Sequence, residues 1–171
     1  DWEKKIEKIV RESANQNITS ISGVPSWTII IINEIMKKMD AKYLTDIWPN
    51  LELYMHGGIS FKTYKKSFNN YIDSKKINYL ELYNASEGFF AIQNESNKSD
   101  LLLLLNHGVF YEFIPIENGE EIEDEIIPLE KVKKHHTYAM VITTNGGLWR
   151  YGIGDTVSFT SLDPFKIKII G

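Results

Sequence analysis

The chain has 171 residues, no cysteine and a formal net charge of −4 at pH 7. This length suits a single domain, and 43% hydrophobic residues are enough to form a core. The net negative charge argues against the clustered basic surface of a nucleic-acid-binding protein, and no nucleic-acid partner is expected. The absence of cysteine excludes disulfide bonds and thiolate metal sites, and we expect a cytoplasmic protein. Because no apolar run reaches the ~18 residues of a membrane span, no membrane partner is expected.

The beginning of the chain predicts two helices with a short strand between them. Apolar residues recur at helical spacing over residues 2–14, and they occupy nearly every side of residues 27–39. The β-branched run in the second segment could also form a strand, but its length and basic end favour a helix. Residues 18–21 are predicted as the strand, and Pro25 suits the first turn of the second helix.

The next part predicts a strand–helix–strand unit of a parallel sheet. After a helical turn at residues 43–48, the alternating residues 51–55 predict a strand. Ser60 is the expected N-cap of a helix that runs to about residue 72. A second buried strand is predicted at residues 79–82, which completes the unit.

The second half of the chain predicts mainly antiparallel strands joined by polar loops. The expected strands cover residues 89–93, 101–105, 109–114, 137–143, 156–160 and 165–170, with polar loops at 94–100 and 118–124 and a helical turn at 128–132. We therefore predict an α/β fold with a mixed sheet. Residues 1–93 form its βαβ part with flanking helices, and residues 94–171 form an antiparallel, barrel-like part of the same domain.

The predicted strand at residues 79–82 runs into a polar turn with the sequence YNASEG. In open α/β sheets, ligands bind beyond the carboxyl ends of the strands. Tyr83 offers a flat ring to a base, Ser86 can hydrogen-bond a phosphate oxygen, and Glu87 is an oxygen ligand that suits Mg²⁺. The alternative is a turn whose small polar residues only cap the backbone.

A second unusual stretch, LWRYGIGD, occupies residues 148–155. Asp155 can accept hydrogen bonds from both hydroxyls of a ribose with charge-assisted strength. Arg150 could neutralise a carboxylate or a phosphate. The alternative is a hairpin in which Asp155 caps a turn and Arg150 pairs with a surface acid.

The predicted strand at residues 51–55 ends in His56, Gly57 and Gly58. Paired glycines let a ligand or a neighbouring backbone approach closely, although a plain strand-to-helix turn explains them equally well. His56 is a candidate contact for an acyl carboxylate or a phosphate. Trp27 and Tyr111 could line an acyl pocket, while packing in the core is the alternative for both.

Two further stretches carry metal-binding residue types at spacings that disfavour a metal site. The acidic loop at residues 118–124 lacks the ligand spacing of a calcium loop. His135 and His136 are sequence neighbours, and neighbouring side chains of a strand face opposite sides of the sheet.

Three motifs in order resemble the acyl-acid amido synthetases of the auxin-responsive (Gretchen Hagen) family, within the adenylate-forming superfamily of acyl-CoA synthetases and firefly luciferase. These motifs are HGG at residues 56–58, YNASE at 83–87 and YGIGD at 151–155. The wider runs WPN at 48–50 and TTNGGLWRY at 143–151 resemble the bacterial branch of that family. The resemblance covers essentially the whole chain, and the order and spacing of the motifs are more specific than any one of them.

The resemblance implies an ATP-dependent ligase. A carboxylic acid attacks the α-phosphate of ATP while Mg²⁺ spreads the charge of the leaving pyrophosphate, and an amine, usually an amino acid, then displaces AMP. The rival within enzymes is an acyl-CoA ligase of the same superfamily. The rival from another class is a module that binds nucleotide without chemistry, or a scaffold.

The resemblance also implies a role for each matching residue. The implied contacts with the nucleotide are Tyr83 against adenine, Asn84 and Ser86 at the nucleotide, Asp155 at the ribose hydroxyls, and Gly57 and Gly58 along the nucleotide or acyl site. Glu87 is implied as the Mg²⁺ ligand, and His56 and Trp27 are acyl-substrate candidates. Many members carry arginine where this chain has Gly152, so that contact is missing or has moved to Arg150.

The sequence contains no Ser/Thr/Gly-rich phosphate loop ending in lysine. In the family this loop lies upstream of the matched part, and the hinge and small C-terminal domain follow it. We therefore expect the later part of a large N-terminal domain, without catalytic residues of its own and dependent on the rest of its full-length chain. The purified 171-residue chain is predicted not to adenylate alone, and acid-dependent release of pyrophosphate would contradict this.

Overall fold

In the computed structural model the described residues are 1–72, 77–96, 98–122 and 125–171. The chain forms two compact units, Asp1–Glu81 and Leu82–Gly171. The boundary falls inside a strand, whereas the change in sequence pattern was expected at residue 93. The predicted loops at 94–100 and 118–124 lie partly outside the described residues.

The first unit has helices around a short parallel sheet. Its elements are α1 (Trp2–Ser13), β1 (Ser20–Ser22), α2 (Pro25–Met39), α3 (Leu44–Ile47), β2 (Leu53–His56), α4 (Lys62–Tyr71) and the first half of β3 (Asn78–Ala85). Strand β2 pairs in parallel with β1 and with the first half of β3. This arrangement confirms the predicted βαβ unit. None of the helices in the described part of the chain is long and apolar enough to cross a membrane.

Helix α2 confirms the helical alternative for its β-branched segment. Pro25 lies in its first turn, and Thr28, Ile32 and Ile35 are buried along one face. Because only that face is covered, other apolar side chains of the segment are partly exposed. The predicted N-cap at Ser60 is wrong, since α4 begins after Phe61 without a side-chain cap.

Tyr54 is the centre of the first unit's core. Its ring is fully buried and stacks on Phe68 of α4 with the centroids 4.6 Å apart. Its hydroxyl donates a hydrogen bond to the carbonyl oxygen of Gly23 at 2.8 Å. Tyr54 therefore joins strand β2 both to helix α4 and to the segment that enters α2.

The second unit is built from antiparallel strands. Its elements are the second half of β3, β4 (Gly88–Ile92), β5 (Leu101–Leu103), β6 (Val109–Glu117), β7 (Glu120–Glu121), β8 (Ile127–Pro128), a 3-10 turn (Leu129–Lys131), β9 (Thr137–Thr144), β10 (Tyr151–Leu162) and β11 (Phe165–Ile169). The strand order from β4 is β4-β5-β11-β10-β9-β6-β7, with β8 on β6. The fold is α/β with mixed strand pairing, as predicted.

Two strands are longer than the sequence pattern predicts. Strand β3 continues to Ala85, so the first residues of the YNASEG stretch are strand residues. Strand β10 begins at Tyr151, so the YGIGD stretch lies inside a strand as well. The pairing of β10 with β9 is interrupted by a bulge between Gly152 and Thr156, which accommodates the glycines.

Aromatic rings fill the core of the second unit. Phe90 of β4 and Tyr111 of β6 meet with their centroids 6.4 Å apart, so these strands curl around one core. Tyr111 is 3% exposed, and its hydroxyl donates to the carbonyl oxygen of Leu104 at 3.1 Å. Core packing is thus confirmed for Tyr111, and the acyl-pocket alternative is wrong.

Two lysines, one buried and one exposed, pair with Glu95 in the segment that follows β4. The Lys166 ammonium, on a side chain that is 7% exposed, hydrogen-bonds the Glu95 carboxylate. Lys98 pairs with the same carboxylate at 2.7 Å. The two lysines together lower the pKa of Glu95 to about 2, so its charge is retained through the neutral range.

Candidate functional site

Tyr83 and Asp155, which are 72 positions apart in the chain, meet in the second unit. The Tyr83 hydroxyl donates a hydrogen bond to Oδ2 of Asp155 at 2.6 Å. Tyr83 belongs to β3 and Asp155 to β10, so this bond joins the YNASE motif to the YGIGD motif. The two stretches that the sequence singled out therefore form one local site.

The ring of Tyr83 is part of the core rather than of the surface. It is 4% exposed and packs edge-on against Phe90, with the centroids 5.1 Å apart. The ring is therefore not openly exposed, and a contact between Tyr83 and adenine stays a prediction. Burial raises the pKa of the Tyr83 hydroxyl well above its ordinary value, and the charges of Asp155 and Glu87 raise it further. The hydroxyl stays protonated and acts as a donor.

Glu87 lies in the turn that follows strand β3, the strand that carries Tyr83. The pair Ala85 and Gly88 closes the β3–β4 hairpin around a turn that contains Ser86 and Glu87. The Glu87 carboxylate acts electrostatically on the hydroxyl of Tyr83, which also donates to the Asp155 carboxylate. Both carboxylates therefore favour the protonated form of the same hydroxyl.

Exposed polar residues and bare backbone border these carboxylates. Asn84 and Ser86 are exposed beside Glu87. On β10, a Cβ added at Gly152 or Gly154 would meet no other atom within 4 Å. Gly154 also has a φ of +91°, a conformation that favours glycine. The site therefore offers oxygen acceptors next to an unobstructed stretch of strand.

The chemistry of this site suits a metal ion that takes some of its ligands from the protein and the others from a substrate. Among the described residues, no three His, Asp or Glu side chains form a group that could hold a metal ion, and His135 and His136 are no exception. Mg²⁺ is commonly bound by one or two carboxylates together with phosphate oxygens of a substrate. Glu87 fits such a role, because it is a half-buried carboxylate at the turn.

Arg150 is engaged by a carboxylate. Its Nε and Nη2 donate to the two carboxylate oxygens of Glu112 at 3.0 and 2.8 Å. The backbone of Arg150 has a φ of +44°, and its N–H donates to the Thr143 hydroxyl at 3.0 Å. Arg150 thus pairs with an acid, as the alternative expects, and a contact between Arg150 and the nucleotide stays a prediction.

The HGG motif lies in the first unit, at the end of β2. His56 is 5% exposed, and its ring stacks on Phe61 with the centroids 4.2 Å apart. Burial lowers the pKa of His56 to about 4, so the ring is neutral at pH 7. Its Nδ1 is buried without a hydrogen-bond partner in the described part of the chain. Gly57 follows, and Gly58 has a φ of +79°, with its Cβ position 3.5 Å from the Val24 side chain.

Trp27 is a surface residue of the first unit. Its side chain is 52% exposed and meets Trp2 of α1 edge-on, with the ring centroids 4.8 Å apart. Helix α2 buries the face that carries Thr28, Ile32 and Ile35, which leaves Trp27 outside the core. The core-packing alternative is therefore wrong for Trp27, and an acyl-substrate role stays a prediction.

Two family models match the chain. The model of the GH3 family N-terminal domain matches residues 1–77, and that of the GH3 family central domain matches residues 102–171. The probable indole-3-acetic acid-amido synthetase GH3.11 of Oryza sativa subsp. japonica is 32% identical over 169 residues, which cover 87% of this chain. The chain spans 25% of the length of that relative.

Solved structures share the fold at low sequence identity. AtGH3.15 acyl acid amido synthetase in complex with 2,4-DB superposes with a TM-score of 0.71 at 16% identity, over 92% of this chain and 36% of that one. The 2-hydroxyisobutyryl-CoA ligase in complex with 2-HIB-AMP and CoA gives a TM-score of 0.65 at 14% identity, over 97% of this chain and 35% of that one. These likenesses establish an adenylate-forming fold.

Proposed function

Because the chain belongs to the GH3 family, we propose that it is part of an ATP-dependent ligase that adenylates a carboxylic acid and transfers the acyl group to the amine of an amino acid. The observation that carries the proposal is the hydrogen bond between Tyr83 and Asp155, and the charge of Glu87 acts on the same hydroxyl. Two distant motifs of the family resemblance thereby contribute to a single set of polar groups.

In this proposal the second unit binds the nucleotide. The carboxylate oxygens of Asp155 accept hydrogen bonds from the ribose hydroxyls. Asn84 and Ser86 form hydrogen bonds with the rest of the nucleotide. Glu87 would hold Mg²⁺ together with phosphate oxygens, and the metal would supply positive charge to the leaving pyrophosphate. The exposure of Asn84 and Ser86 supports these roles, because their polar atoms are accessible to a ligand.

For the first unit we propose contacts with the acyl substrate. The buried, unpartnered Nδ1 of His56 supports a hydrogen bond with the acid, since a buried polar group without a partner is costly. Gly57 and Gly58 leave the neighbouring backbone accessible to a ligand. Trp27 offers an exposed aromatic ring to an apolar acyl chain.

Other assignments stay predictions within this proposal. An acyl-CoA ligase is the main alternative, and the fold shared with a CoA ligase supports it. In both cases the acceptor would be selected by other parts of the whole protein.

Membership of the bacterial branch of the family also stays a prediction, which rests on the sequence runs at 48–50 and 143–151. A cytoplasmic location is supported by the absence of cysteine and by the need for ATP.

Calorimetric titration of the chain with ATP, in the presence and in the absence of Mg²⁺, tests the proposed function. Mg²⁺ is expected to raise the affinity for ATP by about tenfold, because a carboxylate–metal–phosphate bridge forms only when the metal is present. Glu87→Gln is expected to abolish this increase while the metal-free affinity for ATP stays the same.

Glu121→Gln is the matched control, because Glu121 is exposed on β7 and the substitution removes the same charge. It should retain the Mg²⁺ effect in full. Absence of any ATP binding by the unmodified chain would contradict the proposal, as would a Mg²⁺ effect that persists in Glu87→Gln.

A further inference from the structure

We propose that the Tyr83 hydroxyl is a positioning group for Asp155, holding one carboxylate oxygen so that the carboxylate meets the ribose hydroxyls of the nucleotide in a fixed orientation. This inference rests on the proposed function and adds a residue whose ring is buried and whose contribution comes through another side chain. The role proposed for the Tyr83 hydroxyl is separate from any contact between the Tyr83 ring and adenine.

The donor is held firmly in place. Tyr83 pairs with Ala91 in the β3–β4 ladder, and its ring is 4% exposed against Phe90. A phenol fixed at both its backbone and its ring can direct its hydroxyl to few places. The 2.6 Å distance to Oδ2 of Asp155 is typical of a strong O–H···O⁻ bond.

The acceptor needs such a partner. Asp155 is half-buried on β10 and follows Gly154, which has a φ of +91°. Gly152 and Gly154 carry no side chain that could pack against the carboxylate. Because neighbouring side chains normally restrict a rotamer, a carboxylate flanked by glycine depends on hydrogen bonds for its orientation.

The electrostatics keep the roles of donor and acceptor distinct. Burial and the nearby carboxylates raise the pKa of Tyr83, so the phenol does not ionise near neutral pH. The phenol therefore remains a hydrogen-bond donor to Asp155 at neutral pH. The bond orients the carboxylate without transferring a proton from the phenol.

Tyr83→Phe tests the inference, because it keeps the ring and removes only the hydroxyl. Its affinity for AMP is expected to fall by about tenfold, since one orienting hydrogen bond to a charged group is lost. Its affinity for 2′,3′-dideoxy-AMP, which lacks both ribose hydroxyls, is expected to stay equal to that of the unmodified chain. A change in ring stacking or in folding would instead weaken both nucleotides alike.

Tyr111→Phe is the matched control. Tyr111 is buried in the same unit, and its hydroxyl donates to a backbone carbonyl rather than to Asp155. Loss of the Tyr111 hydroxyl should leave the affinities for AMP and for 2′,3′-dideoxy-AMP unchanged. Proton NMR adds a readout without ligand: a slowly exchanging hydroxyl resonance of Tyr83 is expected in the unmodified chain and should disappear in Asp155→Ala.

The outcomes separate this inference from the proposed function. If the unmodified chain binds AMP and Tyr83→Phe binds it equally well, or loses both nucleotides equally, the positioning role is overturned while the proposed function stands. Absence of the hydroxyl resonance also overturns it. If the unmodified chain binds neither nucleotide, the proposed function fails and the positioning role fails with it.

Discussion

Replacing Asp155 by alanine is expected to lower the affinity of the chain for AMP by about a hundredfold or more. In the proposed site the Asp155 carboxylate accepts a hydrogen bond from each of the two ribose hydroxyls. Each hydrogen bond to a charged group contributes about 1.5–3 kcal/mol. Losing two such bonds exceeds the ~2.7 kcal/mol that corresponds to a hundredfold change in affinity. Calorimetry with AMP measures the effect directly.

Two further variants make the Asp155 result specific. Asp155→Asn keeps an oxygen that can accept the Tyr83 hydroxyl but removes the charge, so its affinity for AMP should lie between those of the unmodified chain and Asp155→Ala. Glu117→Ala removes the same charge from an exposed position on β6 and should have no effect. Unchanged AMP affinity in Asp155→Ala would contradict the proposed nucleotide site.

Replacing Phe68 by alanine is expected to lower the free energy of unfolding of the first unit by about 3–5 kcal/mol. Phe68 is fully buried, stacks on Tyr54 with centroids 4.6 Å apart and meets Phe61 edge-on at 5.2 Å. The substitution removes a large ring from the centre of this core and leaves a cavity. Urea denaturation, followed by hydrogen exchange of amides in the first unit, measures the loss.

The control for Phe68→Ala comes from the same helix. Lys65 is exposed on α4, so Lys65→Ala should change the free energy of unfolding by less than about 0.5 kcal/mol. A loss below about 1 kcal/mol for Phe68→Ala would mean that the ring is not central to a packed core. That result would contradict the described packing of α4 on β2.

The helices and the existence of most strands could be predicted because their apolar residues follow a regular period. The exact ends could not, since the ends of β3 and β10 are set by pairing with the neighbouring strands β4 and β9. Tyr151 pairs with Ile142, and Asn84 pairs with Phe89 across a bulge. Local turn-forming residues such as Asn84 and Gly152 are overridden by these ladders.

The side-chain partners at the candidate site were partly predictable. The motifs identified Tyr83 and Asp155, but no local pattern indicates that the phenol is buried and bonded to the carboxylate. Arg150 is held by Glu112, which is 38 positions away and carries no motif of its own. Pairs of this kind depend on strand register, which alternation along one strand cannot define.

The central claim is that the β3–β4 turn and the beginning of β10 bind one nucleotide together, and an NMR titration with AMP tests it most directly. Backbone amide resonances of Ser86, Glu87, Gly154 and Asp155 are expected to shift along a single binding curve with one dissociation constant. Shifts in only one of the two stretches, or two curves with different dissociation constants, would contradict it.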